Sequence, residues 1–182
     1  ERTILVPTAI QAPPPPPPGR EPGGLRVLYV GTILPLKGVH TLVEAFNGTP
    51  ETATLWVAGD LTRDPQCSAR LRALARHPRT EFLGPLDRQA VWQRLRLADV
   101  VVVPSLWYEN APAVVQEARA MRRPVIASRL GGLEELVRDD VDGALFPPGV
   151  ADTVRSFSFL SHFGAISKGV IDGRDTVFFL SM

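Results

Sequence analysis

Short apolar runs rich in β-branched residues alternate with longer amphipathic stretches from Leu25 onwards. Such a run is typical of a buried strand, and apolar positions three and four apart are typical of a helix that packs on one face. The runs predict six strands, at residues 26–30, 54–58, 80–83, 100–103, 124–127 and 144–146. The stretches between them predict helices at residues 39–46, 64–76, 88–97, 113–121 and 133–138. Strands that alternate with helices predict a doubly wound, Rossmann-like α/β fold, with about six parallel strands and helices on both faces.

The two ends of the chain differ from this alternation. Residues 11–24 read QAPPPPPPGREPGG, which predicts an extended linker; a proline-rich ligand for an aromatic groove is the alternative. The segment after residue 155 holds five of the eight phenylalanines, and neither structural period continues there. It is either a divergent C-terminal helix or a tail unrelated to the domain. We therefore predict the remnant of a preceding domain plus a linker at 1–24, an α/β domain at 25–154 and an atypical tail at 155–182.

Composition and charge exclude several classes of function. The chain has 20 Lys and Arg against 19 Asp and Glu, so its net charge of +1 creates no field that would attract nucleic acid or an anionic membrane. No apolar run approaches the roughly 18 residues that a membrane helix needs. The single cysteine has no disulfide partner, which fits a reducing compartment. We expect a cytoplasmic protein with no nucleic-acid partner and at most peripheral contact with a membrane.

The loop after the first predicted strand carries groups that suit a phosphate. In a doubly wound sheet of strand order 3-2-1-4-5-6, ligands bind beyond the carboxyl ends of strands 1 and 4. The first loop there reads GTILPLKG, in which Gly31 permits close approach of the backbone and Lys37 precedes a helix amino end that favours anions. The segment lacks both the three-glycine dinucleotide fingerprint and the P-loop signature, so a solvated lysine is the alternative.

The loop after the fourth predicted strand carries two carboxylates. Glu109 precedes a helix that Pro112 opens, and Glu117 lies one turn beyond Ala113. Carboxylates can accept hydrogen bonds from sugar hydroxyls, while free amides at a helix start can hold a phosphate. The alternatives are an exposed helix-face charge for Glu117 and an acid that favours the helix amino end for Glu109.

A longer stretch of the sequence resembles a known family. PSLWYENAPAVVQEARAMRRPVIASRLGGLEELV, with VGTILPLKGVHTLVEAF before it and DDVDGALFPPG after it, resembles the C-terminal, donor-binding domain of retaining glycosyltransferases of family 4 (group 1), which have the GT-B fold. The likeness runs from about residue 25 to 154. It implies transfer of a sugar, with retention, from a nucleotide-diphosphate sugar, with no metal and no other cofactor. The acceptor, a lipid, a glycan or a small molecule, would be held by an amino-terminal domain missing here, so this chain alone would be incomplete for catalysis.

The resemblance also implies roles for individual residues. Lys37 would hold the diphosphate and Glu109 the hydroxyls of the donor sugar, and these two are the catalytic candidates. Glu117 would hold the ribose. The further donor-binding positions would be Gly31, Thr32, Leu83, Gly84, Pro85, Asn110, Ala111, Ala113 and Val114.

Some positions depart from the family pattern. Thr32 stands where many members have Arg, and Pro112 has no amide to donate. These changes, with the missing domain, leave open a second reading, a catalytically inactive module that binds nucleotide sugars. Arg122 and Arg123 replace a small residue and Gly at a helix end, where we expect cations to be accepted.

A nicotinamide-dependent oxidoreductase on a similar sheet is a third reading of the sequence. It is disfavoured because the chain lacks the glycine fingerprint. The histidines His40, His77 and His162 show no metal-ligand spacing. The sequence thus favours a nucleotide-sugar donor over a dinucleotide, and it predicts no bound metal.

Overall fold

The computed structural model describes residues 24–139 and 141–148. In that part of the chain the strands are β1 Arg26–Val30, β2 Thr54–Ala58, β3 Thr80–Gly84, β4 Val100–Val103, β5 Val125–Ser128 and β6 Gly143–Phe146. The α-helices are α1 Val39–Phe46, α2 Pro65–Leu74, α3 Arg88–Leu97, α4 Ala113–Ala120 and α5 Leu133–Leu136. A 3-10 turn at Pro35–Lys37 precedes α1. The predicted linker, apart from Gly24, and the predicted tail lie outside the described residues.

The described strands form one sheet in the order β3-β2-β1-β4-β5-β6, and every neighbouring pair is parallel. The chain winds outwards from β1 to β3 and then returns to the centre to place β4 on the other side of β1. The winding direction therefore reverses between β1 and β4. The predicted doubly wound α/β fold is confirmed.

Alternating strand residues divide the core into two apolar layers. Val27 and Tyr29 of β1 pack in the layer that α1 and α2 cover, whereas Leu28 packs in the layer that α3 and α4 cover. Because successive side chains of a strand point to opposite faces, both faces of β1 are buried, and its sequence is apolar after the first residue, Arg26. The central strands are thus fixed between two helical layers.

Two acidic N-caps set the helix starts on the β3 side of the sheet. The Asp64 carboxylate accepts a hydrogen bond of 2.9 Å from the amide of Cys67, and Asp87 accepts one of 2.8 Å from Ala90. Each cap satisfies a helix amide that would otherwise lack a partner. The prediction that the second helix spans 64–76 is wrong at its end, because Ala75 already has an extended backbone.

The connection after α4 is strained at one residue. Arg122 follows the C-cap Met121 and has φ 54°, a left-handed conformation that favours glycine. The change to arginine therefore carries a backbone cost at this helix end, because a side chain is disfavoured in that conformation. In the part of the chain that the structure describes, no helix is both long and apolar enough to cross a bilayer.

Candidate functional site

The loop between β1 and α1 is held at both ends. The Tyr29 hydroxyl donates a 2.8 Å hydrogen bond to the carbonyl oxygen of Thr32. Burial raises the pKa of Tyr29, and the nearby Glu109 charge raises it further, so the phenol stays protonated and remains a donor. At the other end, Gly38 has φ 65°, and a Cβ there would overlap the carbonyl oxygen of Pro104.

The loop between β4 and α4 lies directly on the first loop. Leu106 donates its amide to the Leu36 carbonyl at 2.8 Å. The Ser105 hydroxyl, on a residue that is 1% exposed, lies 3.4 Å from the same carbonyl oxygen. These contacts, together with the close approach of Gly38, join the two loops at the point where the winding direction reverses.

Lys37 and Glu109 meet where these loops join. The Lys37 ammonium lies 2.5 Å from Glu109 Oε1, and the two side chains are 32% and 15% exposed. Lys37 is therefore not a freely solvated lysine. Glu109 Oε1 also accepts a 2.9 Å hydrogen bond from the Ser105 hydroxyl. A cation and an oriented carboxylate thus share one position at the crevice, within reach of a ligand.

A third loop fixes the backbone of Glu109. Gly132, between β5 and α5, donates its amide to the Glu109 carbonyl at 2.7 Å. A Cβ at Gly132 would overlap the carbonyl oxygen of Asn110. Neither Gly132 nor Ser105 is among the site residues predicted from the sequence. The glycine pair at 131–132, in the loop after a predicted strand, is a local signal of a close backbone approach.

The amino end of α4 leaves polar groups without protein partners. The amides of Ala113 and Val114 make no hydrogen bond to any described residue, as expected for the first turn of a helix. Glu117 is only 8% exposed, and no described residue pairs with its carboxylate. The reading of Glu117 as an exposed helix-face charge is therefore wrong. The described contacts do not join Glu117 to Lys37 or Glu109. Asn110 is exposed beside Ala111.

Three of the predicted donor-binding positions, Leu83, Gly84 and Pro85, lie at the same edge of the sheet, on the side of β3. The Gly84 carbonyl accepts the amide of Gly59 at 2.9 Å, and a Cβ at Gly59 would overlap the carbonyl oxygen of Gly31. Gly84, Gly59 and Gly31 thus form a continuous row across the carboxyl ends of β3, β2 and β1. Leu83 is half-buried and Pro85 exposed beside them, and no described contact links this row directly to Glu109.

The histidine at the foot of this side of the sheet is structural. His77 is 6% exposed; its Nε2 lies 3.2 Å from the Pro50 carbonyl, and its Nδ1 accepts the Arg79 amide at 3.2 Å. Both ring nitrogens are therefore used by the backbone. Across residues 24–139 and 141–148, no group of three or more His, Cys, Asp or Glu side chains could hold a metal ion.

The carboxyl-end edge of the sheet thus carries a cation, free amides and carboxylates, groups that bind phosphate and hydroxyls. Residues 24–158 match the sequence profile described as Glycosyl transferases group 1. The chain belongs to this family.

Named relatives and solved structures agree with the family. The chain is 37% identical over 123 residues to D-inositol 3-phosphate glycosyltransferase of Xylanimonas cellulosilytica, covering 65% of this chain and 29% of the relative. It is 30% identical over 125 residues to alpha-D-kanosaminyltransferase of Streptomyces kanamyceticus, covering 67% of this chain and 32% of the relative. The group 1 chain therefore spans about a third of the length of these relatives.

Two solved structures share the architecture. Sucrose-phosphate synthase from Thermosynechococcus elongatus is 32% identical with a TM-score of 0.69, covering 80% of this chain and 38% of that one. Anabaena HepE in complex with UDP is 26% identical with a TM-score of 0.66, covering 80% of this chain and 42% of that one. The six-stranded sheet is thus that of GT-B glycosyltransferases.

Proposed function

We propose that this chain is the donor-binding part of a retaining family 4 glycosyltransferase, which moves a sugar from a nucleotide-diphosphate sugar to an acceptor. The observation that carries the proposal is the 2.5 Å pairing of Lys37 with Glu109 at the crevice between β1 and β4. Ligands of doubly wound sheets bind at this position. UDP in the solved complex of Anabaena HepE supports a nucleotide as the ligand here.

The cationic groups suit the chemistry of the leaving group. When the bond between the sugar and the diphosphate breaks, negative charge grows on the diphosphate oxygens. Lys37 and the free amides of Ala113 and Val114 would stabilise that charge, and they are in place before the reaction begins. A diphosphate offers Lys37 more negative charge than Glu109 does, so binding would release the Glu109 carboxylate towards the sugar hydroxyls.

The buried carboxylate of Glu117 supports recognition of a ribose. The residue is 8% exposed, and its carboxylate has no partner among the described residues, so its oxygens are available to hydroxyl donors. Neighbouring ribose hydroxyls can supply two such donors. The row from Gly84 to Gly31 exposes backbone rather than side chains, which leaves room for a flat base.

The acceptor would be bound by a separate amino-terminal domain, in line with the 29% of the Xylanimonas relative that this chain covers. Without that domain, the isolated chain would bind the donor and would not transfer sugar. Multiple-turnover transfer by the purified 182-residue chain would contradict this part of the proposal.

The proposed setting is cytoplasmic. The buried thiol of Cys67, the one cysteine of the chain, fits that setting.

Calorimetry with UDP, GDP and ADP tests the pocket. We expect the full chain to bind one of them, with an affinity that EDTA does not change. Lys37→Ala should weaken that affinity about 10- to 100-fold, because a charge-assisted hydrogen bond contributes about 1.5–3 kcal/mol. Arg70→Ala, on the exposed side of α2, removes the same charge away from the crevice and should leave the affinity unchanged.

A second pair of variants tests the ribose role. Glu117→Gln preserves the shape of the side chain and should weaken binding about tenfold. Glu44→Gln makes the same change in charge on an exposed position of α1 and serves as the control. Absence of binding to all three nucleotides by the unaltered chain would refute the proposal.

A further inference from the structure

The Ser105 hydroxyl lies at the centre of the linked loops, yet neither the family pattern nor the proposed ligand contacts give it a role. Its oxygen lies 2.9 Å from Glu109 Oε1, 3.0 Å from the Trp107 carbonyl and 3.4 Å from the Leu36 carbonyl. A hydroxyl has one proton to donate, and these three neighbours are acceptors, whereas a fourth, the Trp107 amide, donates to the Ser105 oxygen at 3.4 Å. The nearest of them is also the charged one, so Glu109 receives the proton.

Ser105 and Lys37 both bind the same oxygen of Glu109. The ammonium of Lys37 lies 2.5 Å from Oε1, and no described residue pairs with Oε2. The carboxylate is therefore fixed through one oxygen, and the other is left free of partners among the described residues. Since Gly132 holds the Glu109 carbonyl at 2.7 Å, the residue is anchored through both its backbone and its side chain.

Binding of the nucleotide sugar would affect the two groups on Glu109 Oε1, Lys37 and Ser105, in different ways. Under the proposed function Lys37 turns to the diphosphate, and its contact with Glu109 weakens. Ser105 is only 1% exposed, so its hydroxyl cannot turn to the ligand in the same way. Among the described side chains it alone continues to hold the carboxylate once Lys37 has moved.

We propose that Ser105 is a positioning residue: its hydroxyl orients the Glu109 carboxylate for the hydroxyls of the donor sugar while Lys37 is bound to the diphosphate. The inference rests on the proposed function and deepens it. It implies that Ser105 contributes to recognition of the sugar and not to recognition of the nucleoside diphosphate. Loss of the hydroxyl should therefore reduce the preference of the site for a nucleotide sugar over the matching nucleoside diphosphate.

The test compares two ligands on the full 182-residue chain by calorimetry. The first ligand is the nucleoside diphosphate, UDP, GDP or ADP, that the unaltered chain binds. The second is a hexose conjugate of that same nucleotide, chosen as the conjugate that the unaltered chain binds most tightly. Ser105→Ala should weaken the nucleotide sugar about tenfold, because a hydrogen bond to a charged group is lost. It should change the affinity for the nucleoside diphosphate less than about twofold, a difference close to the usual additivity error.

A merely structural role would give a different result. If Ser105 only held the loops together, Ser105→Ala would weaken both ligands by the same factor, which would overturn the inference. A variant that binds both ligands as the unaltered chain does would overturn it as well. Failure of the unaltered chain to bind any nucleotide would instead refute the proposed function, and the inference with it.

A double-mutant cycle with Glu109→Ala, which removes the acceptor of the Ser105 hydroxyl, shows whether Ser105 acts through Glu109. The tenfold effect of Ser105→Ala on the nucleotide sugar should shrink to less than about twofold in the Glu109→Ala background. An undiminished effect in that background would overturn the inference. If Ser105→Ala does not fold, Ser105→Cys provides a side chain of similar shape whose thiol is a weak donor, and the same comparisons and outcomes apply.

Discussion

Substitution of Gly38 by alanine tests how the two crevice loops are joined. Gly38 has φ 65°, and a Cβ there would overlap the carbonyl oxygen of Pro104, which is backbone and cannot rotate away. Gly84 has φ 71°, and nothing lies within 4 Å of the position that its Cβ would take. The two glycines thus share a left-handed backbone and differ in the space around them.

This pairing separates the two costs of an added methyl group. A left-handed backbone costs an alanine about 1–2 kcal/mol. The smaller conformational freedom of alanine in the unfolded chain offsets about 0.4–1 kcal/mol of this cost at both positions. Forcing the loops apart adds an overpacking term of about 1–3 kcal/mol at Gly38 alone. We expect Gly84→Ala to lower the free energy of unfolding by about 1 kcal/mol and Gly38→Ala by about 2–4 kcal/mol.

Urea unfolding of the two variants and the unaltered chain, followed by circular dichroism, measures both changes. The midpoints should shift in the order given while the slopes stay equal, since a slope change would indicate altered compactness. Equal destabilisation by the two substitutions would refute the close packing of Gly38 against Pro104. The comparison concerns stability only, because Gly84 is itself a candidate position for donor binding.

Two further predictions concern stability outside the crevice. Arg122→Gly should raise the free energy of unfolding by about 0.5–1 kcal/mol, since glycine relieves the strain at φ 54°. As a control, Ala120→Gly in the last turn of α4 should lower the free energy of unfolding by a similar amount. A loss of stability in Arg122→Gly would contradict this prediction. Burial raises the pKa of the Cys67 thiol, with the Asp64 charge as a second cause, so its contribution to stability is complete below the pKa of the unfolded thiol and is lost as the pH rises through the higher folded value. The free energy of unfolding should therefore fall less at alkaline pH in Cys67→Ala than in the unaltered chain. The same dependence on pH in both proteins would contradict this prediction.

The strands could be predicted closely because their signal is local. β1, β2 and β4 have the predicted bounds, since each is a short, mostly apolar run that ends before Gly31, Gly59 or Pro104. β5 begins one residue later than predicted. Pro124 lacks the amide that a strand residue donates, although its carbonyl still accepts the amide of Val101 at 3.0 Å.

The end of α2 shows what a local signal cannot include. The helical pattern continues to residue 76, but the amides of Arg76 and His77 bind the side chain of Asn47 at 2.9 and 3.0 Å. A residue about 30 positions away thus takes the amides that would have extended the helix. Nothing in the amphipathic pattern indicates such a partner, so the predicted end was two residues late.

The candidate site was likewise predictable in part, through its position in the fold and not through its contacts. Topology predicts that Lys37 and Glu109 lie at one crevice, because the carboxyl ends of β1 and β4 meet there. It cannot predict that they pair through one oxygen, or that Ser105 holds that oxygen too. It also cannot show that Glu117 is buried, since the spacing of a helix places a residue on a face without saying what covers that face.

The glycines of the site show why the remaining contacts escape a sequence pattern. Gly38 needs its left-handed backbone, which turn chemistry can indicate. Gly132 has φ −63°, a conformation open to any residue, and it is glycine because Asn110 leaves no room for a side chain. Gly59 likewise lies against the carbonyl of Gly31. The carbonyls that exclude a side chain belong to other loops, so the reason for each glycine exists only once the sheet has assembled the crevice.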